Sequence, residues 1–173
     1  GAEAGDVLLT AGASEKTQRG KILILSGEAG PSMASGSVIL ATANSAESGE
    51  LSLHTGVSLS GKSGSVNLKS GNAQGEGNSG EISISSGDST TSRAGSVHVF
   101  PGKSAAGLGG DTAVSAGASS DSVGGSLTLS SGVGETGSGK IQIHTAVSEA
   151  TGESGVIDLS TGGSNTGPSG AVT

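Results

Sequence analysis

The sequence predicts an all-β fold: a parallel β-solenoid of two sheets, a β-helix with about 30 residues per rung. Three observations predict it. A glycine followed by alternating aliphatic residues recurs from end to end with a mean period of 15, from Gly5 to Gly170 in 11 intervals. Within each recurrence the second and fourth residues after that glycine are aliphatic, the period of two that marks a strand with one buried face. The residue directly after the glycine alternates between charged and serine, so repeats two apart are equivalent.

In chain order the repeats read GDVLLTAG from Gly5, GKILILSG from Gly20, GSVILATA from Gly36 and GELSLHTG from Gly49. They continue as GSVNLKSG from Gly64, GEISISSG from Gly80, GSVHVFPG from Gly95 and GDTAVSAG from Gly110. GSLTLSSG from Gly125, GKIQIHTA from Gly139, GVIDLSTG from Gly155 and a truncated GAVT from Gly170 complete the array. Positions are counted below from each leading glycine. The second and fourth positions, such as Val66 and Leu68 or Ile82 and Ile84, are the expected inward pair of each strand. The sixth, such as Thr55, Ser70, Ser86 or Ala116, is small and falls inward where a turn begins. A glycine usually follows, then roughly seven polar residues rich in Ser, Gly, Asn and Thr that read as a solvated turn. Glycine density and the spacing of two both oppose helix.

The first position sets the expected rung. From the second repeat to the tenth it reads Lys21, Ser37, Glu50, Ser65, Glu81, Ser96, Asp111, Ser126, Lys140, and only Asp6, Val156 and Ala171 near the ends depart from the alternation. Even repeats would stack into one parallel sheet and odd repeats into the other, across a core about 10 Å thick. About six rungs, each rising about 4.8 Å, would make a rod roughly 29 Å tall. A single rung buries too few aliphatics to offset its own ordering cost, so neighbouring rungs must stabilise one another.

Composition narrows the function classes. With one Phe, no Tyr or Trp, 34 Gly and 31% hydrophobic residues, the chain is either disordered or folds by regular stacking of small aliphatics. A net charge of −7 argues against a nucleic-acid partner, which needs a basic surface. Cysteine is absent, which removes disulfides and thiolate metal sites and fits the cytosol and the exterior equally. No apolar run reaches the ~20 residues of a membrane span, and no signal peptide opens the chain. All five asparagines, Asn44, Asn67, Asn72, Asn78 and Asn165, lack Ser or Thr two residues on, which excludes N-glycosylation while leaving O-linked carbohydrate on the loop hydroxyls.

The residues that could carry chemistry are few. His54, His98 and His144 all fall outward by alternation and do not converge on one ion. Glu50, Glu81 and Asp111 would share one outward column on successive rungs about 4.8 Å apart. That column reads either as a Ca²⁺ ladder or as a solvated acidic strip flanked by Lys21 and Lys140, and the missing calcium-binding nonapeptide favours the strip. No nucleophile elbow, phosphate loop or zinc motif is present, and the carbohydrate-cleaving β-helices favour aromatic platforms absent here. The reading is therefore non-enzymatic, with no cofactor. Ice binding would need regular outward Thr columns, whereas the third position of odd repeats runs Leu8, Ile39, Asn67, His98, Thr128, Asp158. Outward aliphatics Leu8, Leu23, Leu25 and Ile39, together with Phe100, mark a contact surface for lateral packing or a covering segment.

The expected domain organisation is one repeat array over residues 1–173. It opens on Gly1 rather than Met and stops at Thr173 within a repeat, as a segment of a longer array would. Uncapped terminal strands would stack head to tail, and such an open contact propagates into a filament.

The motif SG-x-[VIL]-x-[LIV]-x-[ST]-G, seen as SGSVNLKSG from Ser63 and SGEISISSG from Ser79, resembles Gly/Ser-rich repeat arrays of secreted or surface proteins of diatoms and related algae. It is also similar to the glycoprotein repeat of large viruses infecting algae. The resemblance spans nearly the whole chain and implies an extracellular wall, fibre, adhesive or virion-surface role, with no catalytic residues carried over. The resulting expectation is a structural extracellular repeat protein that self-associates head to tail or laterally. Ice binding and virion-surface attachment are its alternatives.

Overall fold

Each repeat consists of an unbent aliphatic segment followed by a loop that closes on itself at a narrow neck. The computed structural model describes residues 4–14, 19–30, 33–149 and 151–173. The chain divides into two bodies, Gly1–Ile84 and Ser85–Thr173. Among the described residues the chain bends at 33, 45–47, 59–61 and 75–77 in the first body and at 90–92, 105–107, 120–122, 135–136, 149, 151–152 and 165–167 in the second.

The necks explain the leading glycines. The N–H of a leading glycine donates to the carbonyl of the glycine that ended the previous segment: Gly20 to Gly12 at 3.2 Å, Gly36 to Gly27 at 3.0 Å, Gly110 to Gly102 at 3.0 Å, Gly125 to Gly117 and Gly139 to Gly132 at 2.9 Å. Where the sixth position is a hydroxyl it can take over the task. Ser86 Oγ donates to the Gly95 carbonyl at 3.0 Å and Thr55 Oγ1 to the Gly64 carbonyl at 3.4 Å. The tightest of these necks leaves no room for a side chain, whereas a Cβ at Gly36, Gly125 or Gly139 would meet its nearest neighbours at 3.4–3.5 Å, an ordinary contact. A Cβ on Gly20 would lie 2.7 Å from the Gly12 carbonyl oxygen and 3.0 Å from the Ala11 Cβ, a use of glycine for close backbone approach.

The small sixth residue is the other half of the neck. Ala11, Ser26, Ser70 and Thr145, all at the sixth position, are partly shielded, as are Ser14, Ala29 and Ser148 at the ninth. Every other described residue is exposed. The ninth position carries the loop's second device. The hydroxyls of Ser58, Ser89, Ser104, Ser119 and Ser164 accept the N–H three residues on, from Gly61, Ser92, Gly107, Ser122 and Gly167, at 2.9–3.1 Å. These are serine turns, in which a side chain stands in for a backbone acceptor.

The all-β expectation fails. Among the described residues there is no strand and no helix, so the chain is neither a β-solenoid nor a β-helix. Val66 and Leu68, expected in a dry seam between two sheets, are 69% and 73% exposed, and no described residue is buried. The geometry of the necks gives the reason. A connection between two facing sheets must cross about 10 Å, yet the two ends of the Gly117–Gly125 loop are held 2.9 Å apart, N to O. Each loop returns to its start instead of crossing. The six backbone-to-backbone hydrogen bonds among the described residues are the five necks and Met33 N–H to the Gly30 carbonyl, so none joins one aliphatic segment to another. The aliphatics are also too few and too small to offset the ordering of a chain this rich in Gly and Ser.

The period of two nevertheless leaves a trace. Second-position Ile22, Val38, Leu51, Ile82, Val97, Leu127, Ile141 and Ile157 are 46–55% exposed, though Val7, Val66 and Val172 at the same position are 68–89%, against 86–99% for the loop residues Val57, Leu59, Leu108, Val123, Val133 and Val147. The total accessible surface is 17612 Å². A folded monomer of 16.1 kDa exposes about 7,400 Å² and its unfolded chain about 23,000 Å².

Candidate functional site

Alternation of side chains along each segment builds two rows in every repeat. The second and fourth positions form an aliphatic row, partly shaded by the chain itself, and the first, third and fifth positions point the other way. His98 and Phe100 show the second row directly. They sit at the third and fifth positions of one segment and their rings stack, with centroids 5.5 Å apart and planes 15° from parallel, within the range of favourable aromatic pairs. The sequence places both residues outward without pairing them.

The other outward residues lie open. Leu8, Leu23, Leu25, Ile39 and Phe100, the expected contact surface, are 65–87% exposed; Phe100 belongs to the second body and the other four to the first. They are joined in exposure by the whole aliphatic row. The apolar surface is therefore larger than the sequence indicates and extends over both bodies, because no second sheet covers the row.

The acidic column was expected from stacked strands, and no strand is present among the described residues. Glu50 and Glu81 lie in the first body and Asp111 in the second, and all three are exposed. Among the described residues no group of three or more His, Asp or Glu side chains is placed to hold a metal ion. His54 and His144 are exposed, and His54 Nδ1 lies 3.3 Å from the Thr55 carbonyl oxygen. No cavity is present among the described residues, and no helix among them is long and apolar enough to cross a membrane.

Sequence reasoning missed the serine turns, although their signal was present. The ninth position is Ser in eight of the eleven full repeats: Ser14, Ser45, Ser58, Ser89, Ser104, Ser119, Ser148 and Ser164. A hydroxyl at a fixed offset inside a loop otherwise variable in composition points to a local hydrogen bond. Ala29, Ala73 and Gly134 take the place in the remaining repeats. In the Gly132–Gly139 loop, a Cβ on Gly134 would stand 2.5 Å from the Gly137 carbonyl oxygen, so close backbone approach replaces the hydroxyl.

What this arrangement offers chemically is surface: an uncovered aliphatic row, unpaired backbone groups along each segment, and a reverse face of Ser, charge and scattered apolar residues. No family model matches the chain, and no curated protein or solved structure does either.

Proposed function

We propose that the chain is a structural repeat module of an extracellular fibre, wall or adhesive, at a cell or virion surface, which acts by associating with other copies of itself. The observation that carries this reading is the exposed area. At 17612 Å² the chain keeps about 10,000 Å² more surface than a folded monomer of its mass. A specific interface buries about 1,200–2,000 Å² in total, so the excess is enough for several neighbours. The aliphatic row supplies the hydrophobic term, and the unpaired N–H and C=O groups beside it are the template that free edges offer to other chains.

The glycine- and serine-rich loops suit the same role. They keep the loop surface hydrated while the row associates, and their hydroxyls are acceptors for O-linked carbohydrate. The resemblance to algal surface repeats and to the algal-virus glycoprotein repeat supports the extracellular placement.

Sedimentation velocity and electron microscopy of the purified chain test the reading. Mass should rise with concentration, and filaments should diffract at the spacing of adjacent extended chains, about 4.8 Å. Chains that stay monomeric at every concentration would overturn it.

A further inference from the structure

The aliphatic row and the charges opposite it constrain how two copies meet. This inference rests on self-association as the chain's role. The first-position residues Asp6, Lys21, Ser37, Glu50, Ser65, Glu81, Ser96, Asp111, Ser126 and Lys140 are all exposed. Copies paired edge to edge bring equivalent columns to about 4.8 Å. In register, each charge would face its own copy. Antiparallel about Glu81, Lys21 would face Lys140 and Glu50 would face Asp111. A parallel shift of two repeats would set Glu50 against Glu81 and Glu81 against Asp111, two like pairs that offset its opposite pairs Lys21 with Glu50 and Asp111 with Lys140. Like charges at such spacing repel.

We propose that the partner of the aliphatic row is a second copy of this chain, parallel and displaced by one repeat, so that each repeat lies beside the next repeat of its neighbour. This displacement sets serine beside every charge from Lys21 to Asp111. It also sets Asp6, which breaks the alternation, beside the oppositely charged Lys21. The third position agrees: Leu8 falls beside Leu23, and Leu23 beside Ile39, so these three outward aliphatics cover one another, while Leu25 at the fifth position falls beside Thr10 and Ala41. The antiparallel arrangement that sets Lys21 beside Ser126 also avoids like charges, but it places Leu8 against Gln142 and Leu23 against Thr128. Every whole-repeat displacement keeps the aliphatic row beside itself, so charge and the outward leucines select among them. A displaced contact of this kind is open, and it adds further copies without closing.

Two measurements on the full chain test the register. The chain has no cysteine, so Ser65→Cys on one copy and Glu81→Cys on another report a single proximity. Mixed under oxidation, they should form the Ser65→Cys to Glu81→Cys disulfide in at least roughly tenfold excess over Ser65→Cys homodimers, because Cα atoms more than about 7 Å apart are not bridged without backbone movement. Separately, Asp6→Lys should raise the concentration needed for assembly about fivefold, the scale of one exposed ion pair turned repulsive. The double variant Asp6→Lys/Lys21→Asp should restore it. An in-register pair would not respond to Asp6→Lys, since a like pair merely changes sign. Predominant Ser65→Cys homodimers, or assembly indifferent to the charge swap, would overturn the displacement and leave self-association standing. Chains that remain monomeric, including chains that bind only lipid vesicles, would overturn both.

Discussion

Gly20→Ala tests the neck most directly. The Gly20 N–H reaches the Gly12 carbonyl at 3.2 Å, already the longest of the five necks. An alanine Cβ would stand 2.7 Å from that oxygen, 2.9 Å from the Gly12 nitrogen and 3.0 Å from the Ala11 Cβ. All three obstacles belong to the chain's own neck, two of them backbone, so the neck must open by several tenths of an ångström and its bond stretches past useful length. The loss is about 0.5–1.5 kcal/mol, the net worth of one hydrogen bond. Alanine also stiffens the unfolded chain by about 0.4–1 kcal/mol, which masks the effect in a global measurement. Amide hydrogen exchange at residue 20 isolates the local term. Protection there should fall roughly five- to tenfold, the equivalent of about 1 kcal/mol. Gly5→Ala is the control, because nothing lies within 4 Å of a Cβ at that position. Unchanged protection in Gly20→Ala, or an equal loss in Gly5→Ala, would refute the neck as the reason for the leading glycine.

Ser104→Ala removes the acceptor held by the Gly107 N–H at 2.9 Å; exchange at Gly107 should quicken by a few-fold, matching about 0.5–1 kcal/mol, and an unchanged rate would deny the serine turn its part in the loop. Ile82→Asn places an amide in the aliphatic row where the side chain is 46% exposed; about 1–1.5 kcal/mol of association is lost, read as a rise of roughly tenfold or less in the assembly concentration, and normal assembly would show that the row is not the contact. Lowering the pH from 7 toward the isoelectric point near 4.8 removes the net charge of −7; self-repulsion falls, so light scattering should report assembly at lower concentration, and greater solubility near pH 4.8 would contradict association between like-charged copies.

Part of this arrangement was legible and part was not, for definite reasons. The 15-residue period, the aliphatic second and fourth positions and the small sixth position are local properties, and each has a structural counterpart. Ile82 is shaded relative to Val133, and Ser70 is partly shielded, with its Cβ 3.5 Å from where a Cβ on Gly80 would stand. The two-sheet solenoid required a further step, from Val66 and Leu68 sharing a face to a second face opposing them. A period of two reports which side chains point the same way and carries no information on what covers them. The polar segment after each small sixth position is a turn as expected, but two facing sheets require it to cross between them. Gly117 and Gly125 show otherwise, because a long connection tied at its ends spans almost no distance. Leu8, Leu23, Leu25 and Ile39 stood out only on the premise that Leu9, Ile24 and Leu40 were buried, and those are 68%, 59% and 61% exposed.

Without rungs, the alternation of charge and serine at the first position needs a different cause. Equivalence of repeats two apart was its explanation when repeats stacked within one chain, and the closed necks remove that stacking. Charges placed on every second repeat still have a physical consequence for chains lying side by side. A displacement of one repeat interleaves them with serine, whereas zero repeats makes like charges coincide and two repeats sets as many like pairs as opposite ones. Asp6 strengthens the point, since it departs from the alternation at the one repeat where a displaced neighbour presents Lys21. The feature that once implied a 30-residue rung thus becomes a register code between copies. It leaves the 15-residue repeat, with its glycine neck and its serine turn, as the structural unit.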